Sequence, residues 1–422
     1  MEKTDLFNLP RLSRTLCHLV IVALVLAVVL TPVFDFSILE NMPTNWTVTR
    51  SVYEFLVIAM PLLAIGLNGL SSRREKLVLR TVAAIFLYAA YITLTAATNL
   101  PYPIYGFVTF LGATLVGILF YVSAREGLIT ARATFVSLAI VASFVALPLL
   151  LVFWDVPRYV ALAEAFGTTS IIYGYENPRA IGWLSSAGLS LAIAYSAART
   201  CGDRLSPAML VLTVIAATAL FWSGSRAGLL ALSISTCILL FVARDRNLKG
   251  SLIVVACIAI GAAFSTFLFV PSSDFGILAR ISETTQMGDA NGISSGRLKL
   301  WQTNLSLISE RPFSGYGLLP HKNIEGLAAG SSHNIVLEMW LSMGVIVGSL
   351  ALLCLIWLWI TLCLIARASQ DRHILALFCL TTTFAVYCLM SGPYARTLPL
   401  LIFAIAAGTV LGAGAQRTRA TT

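Results

Sequence analysis

The sequence predicts an all-α polytopic membrane protein, with about twelve spanning helices and one large loop on the outer side. Of its 422 residues, 58% are hydrophobic and only 11% are charged. Apolar runs of about 20 residues, the length that a helix needs to cross a bilayer, recur from end to end. The net charge of +9 is scattered over short loops, which argues against a nucleic-acid-binding surface.

Twelve apolar runs define the predicted spans. They lie at about 16–34, 52–70, 81–99, 104–123, 133–153, 180–198, 206–223, 226–243, 251–270, 343–366, 373–392 and 397–415. The first run follows Arg11 and Arg14 and has no small-residue cleavage site behind it, so we interpret it as a membrane helix rather than a signal peptide.

The basic residues set the predicted orientation. The segments 1–15, 71–80, 124–132, 199–204, 244–250, 366–372 and 416–422 carry 18 of the 28 Lys and Arg residues but only 7 of the 19 Asp and Glu residues. They alternate with the intervening connections along the whole chain. Because positive charge is retained on the cytoplasmic side, both termini are predicted to be cytoplasmic.

Two outer connections are long, namely Trp154 to about Arg179 and Pro271 to Ser332. Long loops in a compact membrane bundle are usually functional. The predicted organisation is therefore helices one to nine over 1–270, a large outer loop with the catalytic elements over 271–342, and helices ten to twelve over 343–422.

The large loop is predicted to contain an amphipathic helix near the membrane surface. Leu298, Trp301, Leu305 and Ile308 recur at helical spacing. The preceding serines, Ser294 or Ser295, can cap this helix. Pro312, Gly315 and Gly317 then end it.

Arg226 is the first candidate for binding a ligand. It follows Ser223-Gly224-Ser225 at the outer mouth of a tight hairpin and opens the eighth span. Serine caps, the positive end of a helix dipole and a guanidinium together suit a phosphate. The alternative is an interfacial arginine that reaches lipid headgroups.

The large loop adds two further arginines. Arg297 stands one helical turn before Trp301, so both project from one face. Arg280 lies earlier in the loop. Because the loop also carries several carboxylates, ordinary surface ion pairing is the alternative for either residue.

His333 is the candidate general base. It stands in Ser331-Ser332-His333-Asn334, before an apolar helix at the outer surface. A helix start disfavours a protonated imidazole, and a neutral ring can accept a proton. A capping role without chemistry is the alternative. Glu338 is predicted to be a buried hydrogen-bonding residue, and His321 has no evident partner.

The remaining motifs support neither a metal site nor a serine nucleophile. No His-x-x-x-His pair occurs in the sequence, and a serine nucleophile would have no obvious acid partner. Seven of the eight cysteines lie in apolar runs, which offers no disulfide framework. We expect neither a metal nor a cofactor.

At these residues the chain resembles the O-antigen ligase and polymerase superfamily of bacterial inner-membrane glycosyltransferases. Three blocks carry the resemblance: SGSRAGLLAL (223–232), SSGRLKLWQTNLSLISERPFSGYGL (294–318) and SHNIVLEMWLSMG (332–344). The twelve spans and the large late loop fit the family as well. One departure is Gly344-x-x-x-Gly348, where the ligase pattern has Gly-x-x-Gly.

The resemblance implies a periplasmic active site that transfers an O-antigen polysaccharide from undecaprenyl diphosphate to a sugar hydroxyl of lipid A–core. It implies that His333 corresponds to the functional histidine, and that Arg226 and a loop arginine bind the diphosphate. Arg297 is favoured for the loop arginine, and Arg280 is its rival. Asn177-Pro178-Arg179 resembles a weaker family feature, so Arg179 is a further candidate. The implied partners are the lipid-linked donor, lipid A–core and membrane lipids.

Three other functions remain open. One type of the same superfamily transfers glycans to protein hydroxyls, but its enzymes usually carry an added outer region. A polymerase of the same superfamily would join two lipid-linked repeat units. A lipid or solute transporter would perform no covalent chemistry, but transporters usually place ionisable groups near the bilayer midplane. Here the charged candidates gather at one surface, which favours interfacial catalysis.

Overall fold

The structure is a computed structural model of the chain. It describes residues 15, 17–19, 22, 73–96, 101–146, 149–150, 178–198, 206–243, 248–268, 276–286, 294, 296–324, 331–369, 371–392, 394 and 397–421. Most of the first two predicted spans and most of the outer connection from Trp154 lie outside these residues.

The described residues form helices and no strand, which confirms the predicted all-α class. The helices are α1 (Arg73–Ala96), α2 (Pro101–Arg125), α3 (Ala131–Ser143), α4 (Pro178–Ala197), α5 (Pro207–Trp222), α6 (Arg226–Val242), α7 (Leu248–Ser265), α8 (Ile277–Gln286), α9 (Arg297–Glu310), α10 (Pro320–Asn323), α11 (Ile335–Ser369), α12 (Arg372–Cys388) and α13 (Thr397–Thr421).

Three of these helices are long and apolar enough to cross a membrane, over Gly106–Arg125, Ile335–Ser369 and Leu398–Arg419. Shorter apolar helices occur at seven of the other predicted spans. These helices identify a membrane protein. The count of twelve spans and the placement of the large loop in the periplasm stay predictions.

The core lies around α12, which packs against α4, α6, α11 and α13. Its residues from Ile374 to Thr383 are buried without interruption. On the neighbouring side, α13 lies directly on α2, because a Cβ added at Gly408 would overlap the carbonyl oxygen of Gly117. Small residues that let helix backbones approach closely are typical of membrane helix pairs.

Helix α11 bends at Gly344, whose φ of 75° and ψ of 167° are not helical. The loop segment 312–317 docks at this bend through three backbone hydrogen bonds. The N–H of Val345 donates to Pro312 O at 2.7 Å, that of Tyr316 to Leu341 O at 2.8 Å, and that of Gly317 to Ser342 O at 3.0 Å. Backbone groups freed by the bend are thereby paired. The bend consequently fixes the first part of α11 against the loop.

Candidate functional site

The turn between α5 and α6 places Arg226 at a helix start. Ser225 is the N-cap, and its Oγ accepts the N–H of Gly228 at 3.2 Å, which confirms the predicted serine cap. The same Oγ lies 2.8 Å from the hydroxyl of Tyr387. Both Ser223 and Ser225 are buried, whereas Arg226 is half-buried. The turn is therefore fixed by the protein interior, and the arginine lies at its edge.

Two more helix starts meet this turn. A Cβ added at Gly182 of α4 would overlap the Cβ of Ser225 and approach the hydroxyl of Ser223, so the backbone of α4 lies against the side chains of the turn. At the start of α8, the N–H of Gly276 donates to Trp222 O at 2.7 Å. Three helices thus begin around one turn, and each carries an arginine in its first turn: Arg179 in α4, Arg226 in α6 and Arg280 in α8.

This convergence has a defined electrostatic character. A helix start presents free amide groups and the positive end of the helix dipole, and so favours anions. Arg280 is 9% exposed, and its guanidinium donates to Glu283 at 2.7 Å. The ion pairing that the sequence left open for Arg280 is therefore present. For Arg179, the structure describes the backbone alone.

Arg297 belongs to a different part of the site. It is the first residue of α9, after Gly296, whose φ is 77°. The N-cap is Gly296, so the prediction that Ser294 or Ser295 caps this helix is wrong. Ser294 Oγ nevertheless accepts the N–H of Leu298 in the first turn at 3.3 Å. One turn along the helix, the indole Nε1 of Trp301 donates to Ser332 O at 3.0 Å. The helix that begins at Arg297 is accordingly joined to the turn before α11.

His333 lies in a tight turn just before α11. Its φ is 50°, in the left-handed region that a non-glycine residue rarely adopts. Its N–H donates to Ser331 Oγ at 3.4 Å. The side chain of Asn334 caps α11, because its Oδ1 accepts the N–H of Val336 at 2.9 Å and that of Leu337 at 3.3 Å. The half-buried imidazole is therefore not required as the cap.

A buried polar network lies against this turn. Glu338 is 3% exposed, and its Oε2 accepts the N–H of Ser332 at 2.8 Å, which confirms the predicted buried hydrogen-bonding role. The Oγ of Ser332 lies 2.9 Å from His321 Nε2. The expectation that His321 has no partner is wrong, since α10 carries it into the interior. Burial lowers the pKa of His321 to about 4.

The last turn of α12 and the residues after it, from Tyr387 to Gly392 (the α12 end), contact two turns. One is the turn 223–225 before Arg226 (the arginine turn), and the other is the turn 331–334 that carries His333 (the histidine turn). Tyr387 meets Ser225, and the N–H of Ser391 donates to Tyr387 O at 2.9 Å. Gly392 then packs against the turn before α11, because a Cβ there would lie 3.8 Å from His333 Nδ1. Further on, the hydroxyl of Tyr394 lies 3.5 Å from Glu338 Oε2. The short stretch from Tyr387 to Gly392 therefore connects the turn before Arg226 to the turn that carries His333.

Sequence reasoning missed these residues of the α12 end. Tyr387, Ser391 and Gly392 fall at the outer end of the predicted span 373–392, and Tyr394 follows in the short connection to the next span. Neither the tyrosines nor the glycine forms a motif there. Their only signal is placement, since the outer end of this span lies on the same predicted side as Arg226 and His333. Their role depends on contacts with segments that are distant in sequence, and sequence spacing does not show such contacts.

The described part of the chain contains no group of three His, Cys, Asp or Glu side chains arranged to hold a metal ion. The charged groups placed around the turn before Arg226 are arginines in the first turns of helices, of which Arg280 is paired with Glu283. Guanidiniums at helix starts suit an anion such as a phosphate, and a neutral imidazole such as that of His333 can accept a proton.

Residues 211–352 match a family model described as O-antigen ligase. The matched region runs from α5 into α11 and includes Arg226, Arg280, Arg297 and His333. Arg179 and the α12 end lie outside it. No curated protein matches the chain.

Proposed function

We propose that this member of the O-antigen ligase and polymerase superfamily is an O-antigen ligase. It would move an O-antigen polysaccharide from undecaprenyl diphosphate to a sugar hydroxyl of lipid A–core at the periplasmic face of the inner membrane. The observation that carries the proposal is the convergence of three arginine-bearing helix starts on the turn before Arg226.

The arginine turn is proposed to bind the diphosphate. Arg226 opens α6 at the positive end of the helix dipole, and Arg280 and Arg179 lie in the first turns of neighbouring helices. A guanidinium can make two parallel hydrogen bonds to phosphate oxygens, and helix starts add partial positive charge. Because these groups act on the leaving diphosphate, the charge that develops there would be stabilised without a metal.

His333 is proposed to act as the general base. Its imidazole would take the proton of the acceptor hydroxyl as the oxygen forms a bond to the anomeric carbon. The bond from that carbon to the diphosphate oxygen breaks, and undecaprenyl diphosphate leaves with the electron pair. Such a direct displacement inverts the anomeric centre. General-base assistance contributes about 10²–10⁴-fold in rate.

Arg297 is proposed to act nearer to the base than to the arginine turn. The helix that carries it is joined to the His333 turn by the bond between Trp301 and Ser332. From this place its guanidinium can bind phosphate or glycan oxygens next to the reacting hydroxyl. Arg280, whose helix starts at the turn before Arg226, is the loop arginine that we assign to the diphosphate site.

A transfer assay tests the proposal. Purified full-length protein is mixed with lipid-linked glycan and lipid A–core in the presence of a chelator, and wild type is compared with His333→Ala and Arg226→Lys. We expect glycosylated lipid A–core from wild type, and losses of at least about 100-fold for His333→Ala and about tenfold for Arg226→Lys. Arg311→Lys, at an exposed loop arginine, is the matched control.

The products distinguish the competing functions. Elongation of the lipid-linked glycan without change to lipid A–core would identify a polymerase. Wild-type protein that forms no covalent product, yet moves lipid-linked glycan across a vesicle membrane, would identify a transporter. A chelator-sensitive wild type would contradict the metal-independent mechanism.

A further inference from the structure

The peptide unit just before His333 is held from three sides. Ser332 is fully buried. Its N–H donates to Glu338, its carbonyl oxygen accepts from Trp301, and its hydroxyl meets His321. These three partners come from α11, α9 and α10, so three separate segments fix one residue.

The residue that follows is in a conformation that needs such support. A φ of 50° at His333 costs on the order of 1–3 kcal/mol for a non-glycine residue. Strained backbone of this kind persists only where the surroundings determine it. The three hydrogen-bond contacts of Ser332 hold this backbone conformation. In it, Nδ1 of the imidazole lies 3.8 Å from where a Cβ on Gly392 would be.

We propose that Glu338 is a positioning residue, which sets the place of the His333 imidazole by accepting the N–H of Ser332. The inference rests on the proposed function, because it assigns Glu338 to the same transfer reaction. Glu338 is buried five residues beyond His333 and does not itself face the reacting groups. It acts on catalysis through the backbone.

A single oxygen of Glu338 carries the contacts. Oε2 lies 2.8 Å from Ser332 N, 3.5 Å from the hydroxyl of Tyr394 and 3.9 Å from His321 Nε2. The other oxygen, Oε1, is buried and has no hydrogen-bond partner among the described residues. The role therefore requires one acceptor at a fixed position rather than a full carboxylate.

Two substitutions separate position from charge. Glu338→Gln keeps an oxygen at the same reach and removes the charge. Glu338→Asp keeps the charge and withdraws the oxygen by one methylene. Because misplacement of a catalytic group by about 1 Å can cost about 100-fold, we expect kcat to fall about 10–100-fold in Glu338→Asp. For Glu338→Gln we expect kcat within about threefold of wild type, since the acceptor position is kept.

The experiment measures kcat and donor KM of the purified full-length variants with lipid-linked glycan and lipid A–core. Donor KM should stay near wild type in both, since the arginine turn is untouched. Glu310→Gln and Glu310→Asp, at an exposed glutamate of the same loop, form the matched control pair. Thermal unfolding of each variant checks the fold. If Glu338→Asp does not fold, Glu338→Leu replaces it with the same expectation.

Three results would overturn the inference. The reverse order, with the glutamine variant inactive and the aspartate variant active, would show that the charge is required. Equal activity of both variants and wild type would show that the contact is dispensable for His333. A raised donor KM with unchanged kcat would place Glu338 in substrate binding. Absence of transfer by wild type would reject the proposed function itself.

Discussion

The indole N–H of Trp301 donates to the carbonyl oxygen of Ser332 across 3.0 Å and 31 positions of sequence. This bond joins the amphipathic loop helix to the turn that carries His333. The two loop arginines therefore lie on helices with different neighbours. Arg297 is on α9, the helix that makes this bond, whereas Arg280 is on α8, which begins at the turn before Arg226.

This difference in neighbours predicts different kinetic effects for the two loop arginines. Arg280→Lys should weaken binding of a short-chain polyprenyl diphosphate about tenfold, because about one charge-assisted hydrogen bond is lost. Arg297→Lys should leave that affinity near wild type and lower kcat. Competition of the diphosphate against the transfer reaction measures both. The opposite assignment of effects would place Arg297 at the diphosphate.

The bend in α11 predicts a large difference between two glycine substitutions. Gly344 has φ 75° and ψ 167°, a region that essentially only glycine occupies, and an added Cβ would overlap the carbonyl oxygen of Phe313. Gly344→Ala should destabilise the protein by about 2–5 kcal/mol.

Gly296→Ala is the matched control for Gly344→Ala. Gly296 also has a positive φ of 77°, but an added Cβ meets nothing within 4 Å. It should cost only about 1–2 kcal/mol of backbone strain. Thermal unfolding in detergent compares the two variants, and equal losses would show that the bend does not require close contact with segment 312–317.

Stability is predicted to depend on pH through His321. Burial lowers its pKa from 6.5 to about 4. Between these values the unfolded chain binds a proton that the folded chain does not. This contribution is therefore complete above pH 6.5 and is lost as the pH falls toward 4.

Thermal unfolding at pH 7, 6, 5 and 4 measures this dependence. The melting temperature of wild type should fall more steeply between pH 6.5 and 4 than that of His321→Asn. Parallel curves for the two proteins would show that His321 is not the group responsible.

Asn304 offers a stabilising substitution. It is fully buried in α9, and neither Oδ1 nor Nδ2 has a hydrogen-bond partner among the described residues. Replacing an unsatisfied buried amide by an apolar side chain of similar shape removes a cost of about 1–3 kcal/mol. Asn304→Leu should therefore raise the melting temperature and leave transfer unchanged, whereas Gln302→Leu at an exposed position should change neither. Loss of transfer in Asn304→Leu would instead mean that the amide contacts a substrate.

Local chemistry was sufficient for much of the site. The serine cap before Arg226 and the helix from Arg297 were predictable because caps and helical periodicity act over a few residues. The buried role of Glu338 followed from its place in an apolar helix. His321 was misjudged because its burial depends on where α10 docks, and nothing in the neighbouring sequence reports that docking.

The sequence by itself determined the all-α class, the apolar helices and the residue types suited to phosphate and proton transfer. These properties follow from hydrophobicity and charge along the chain. Only the tertiary structure decided which helix starts meet the turn before Arg226, which groups hold Ser332, and that the chain from Tyr387 to Gly392 contacts both turns. Those relationships depend on close packing between segments far apart in sequence, where a glycine or one hydrogen bond fixes the approach.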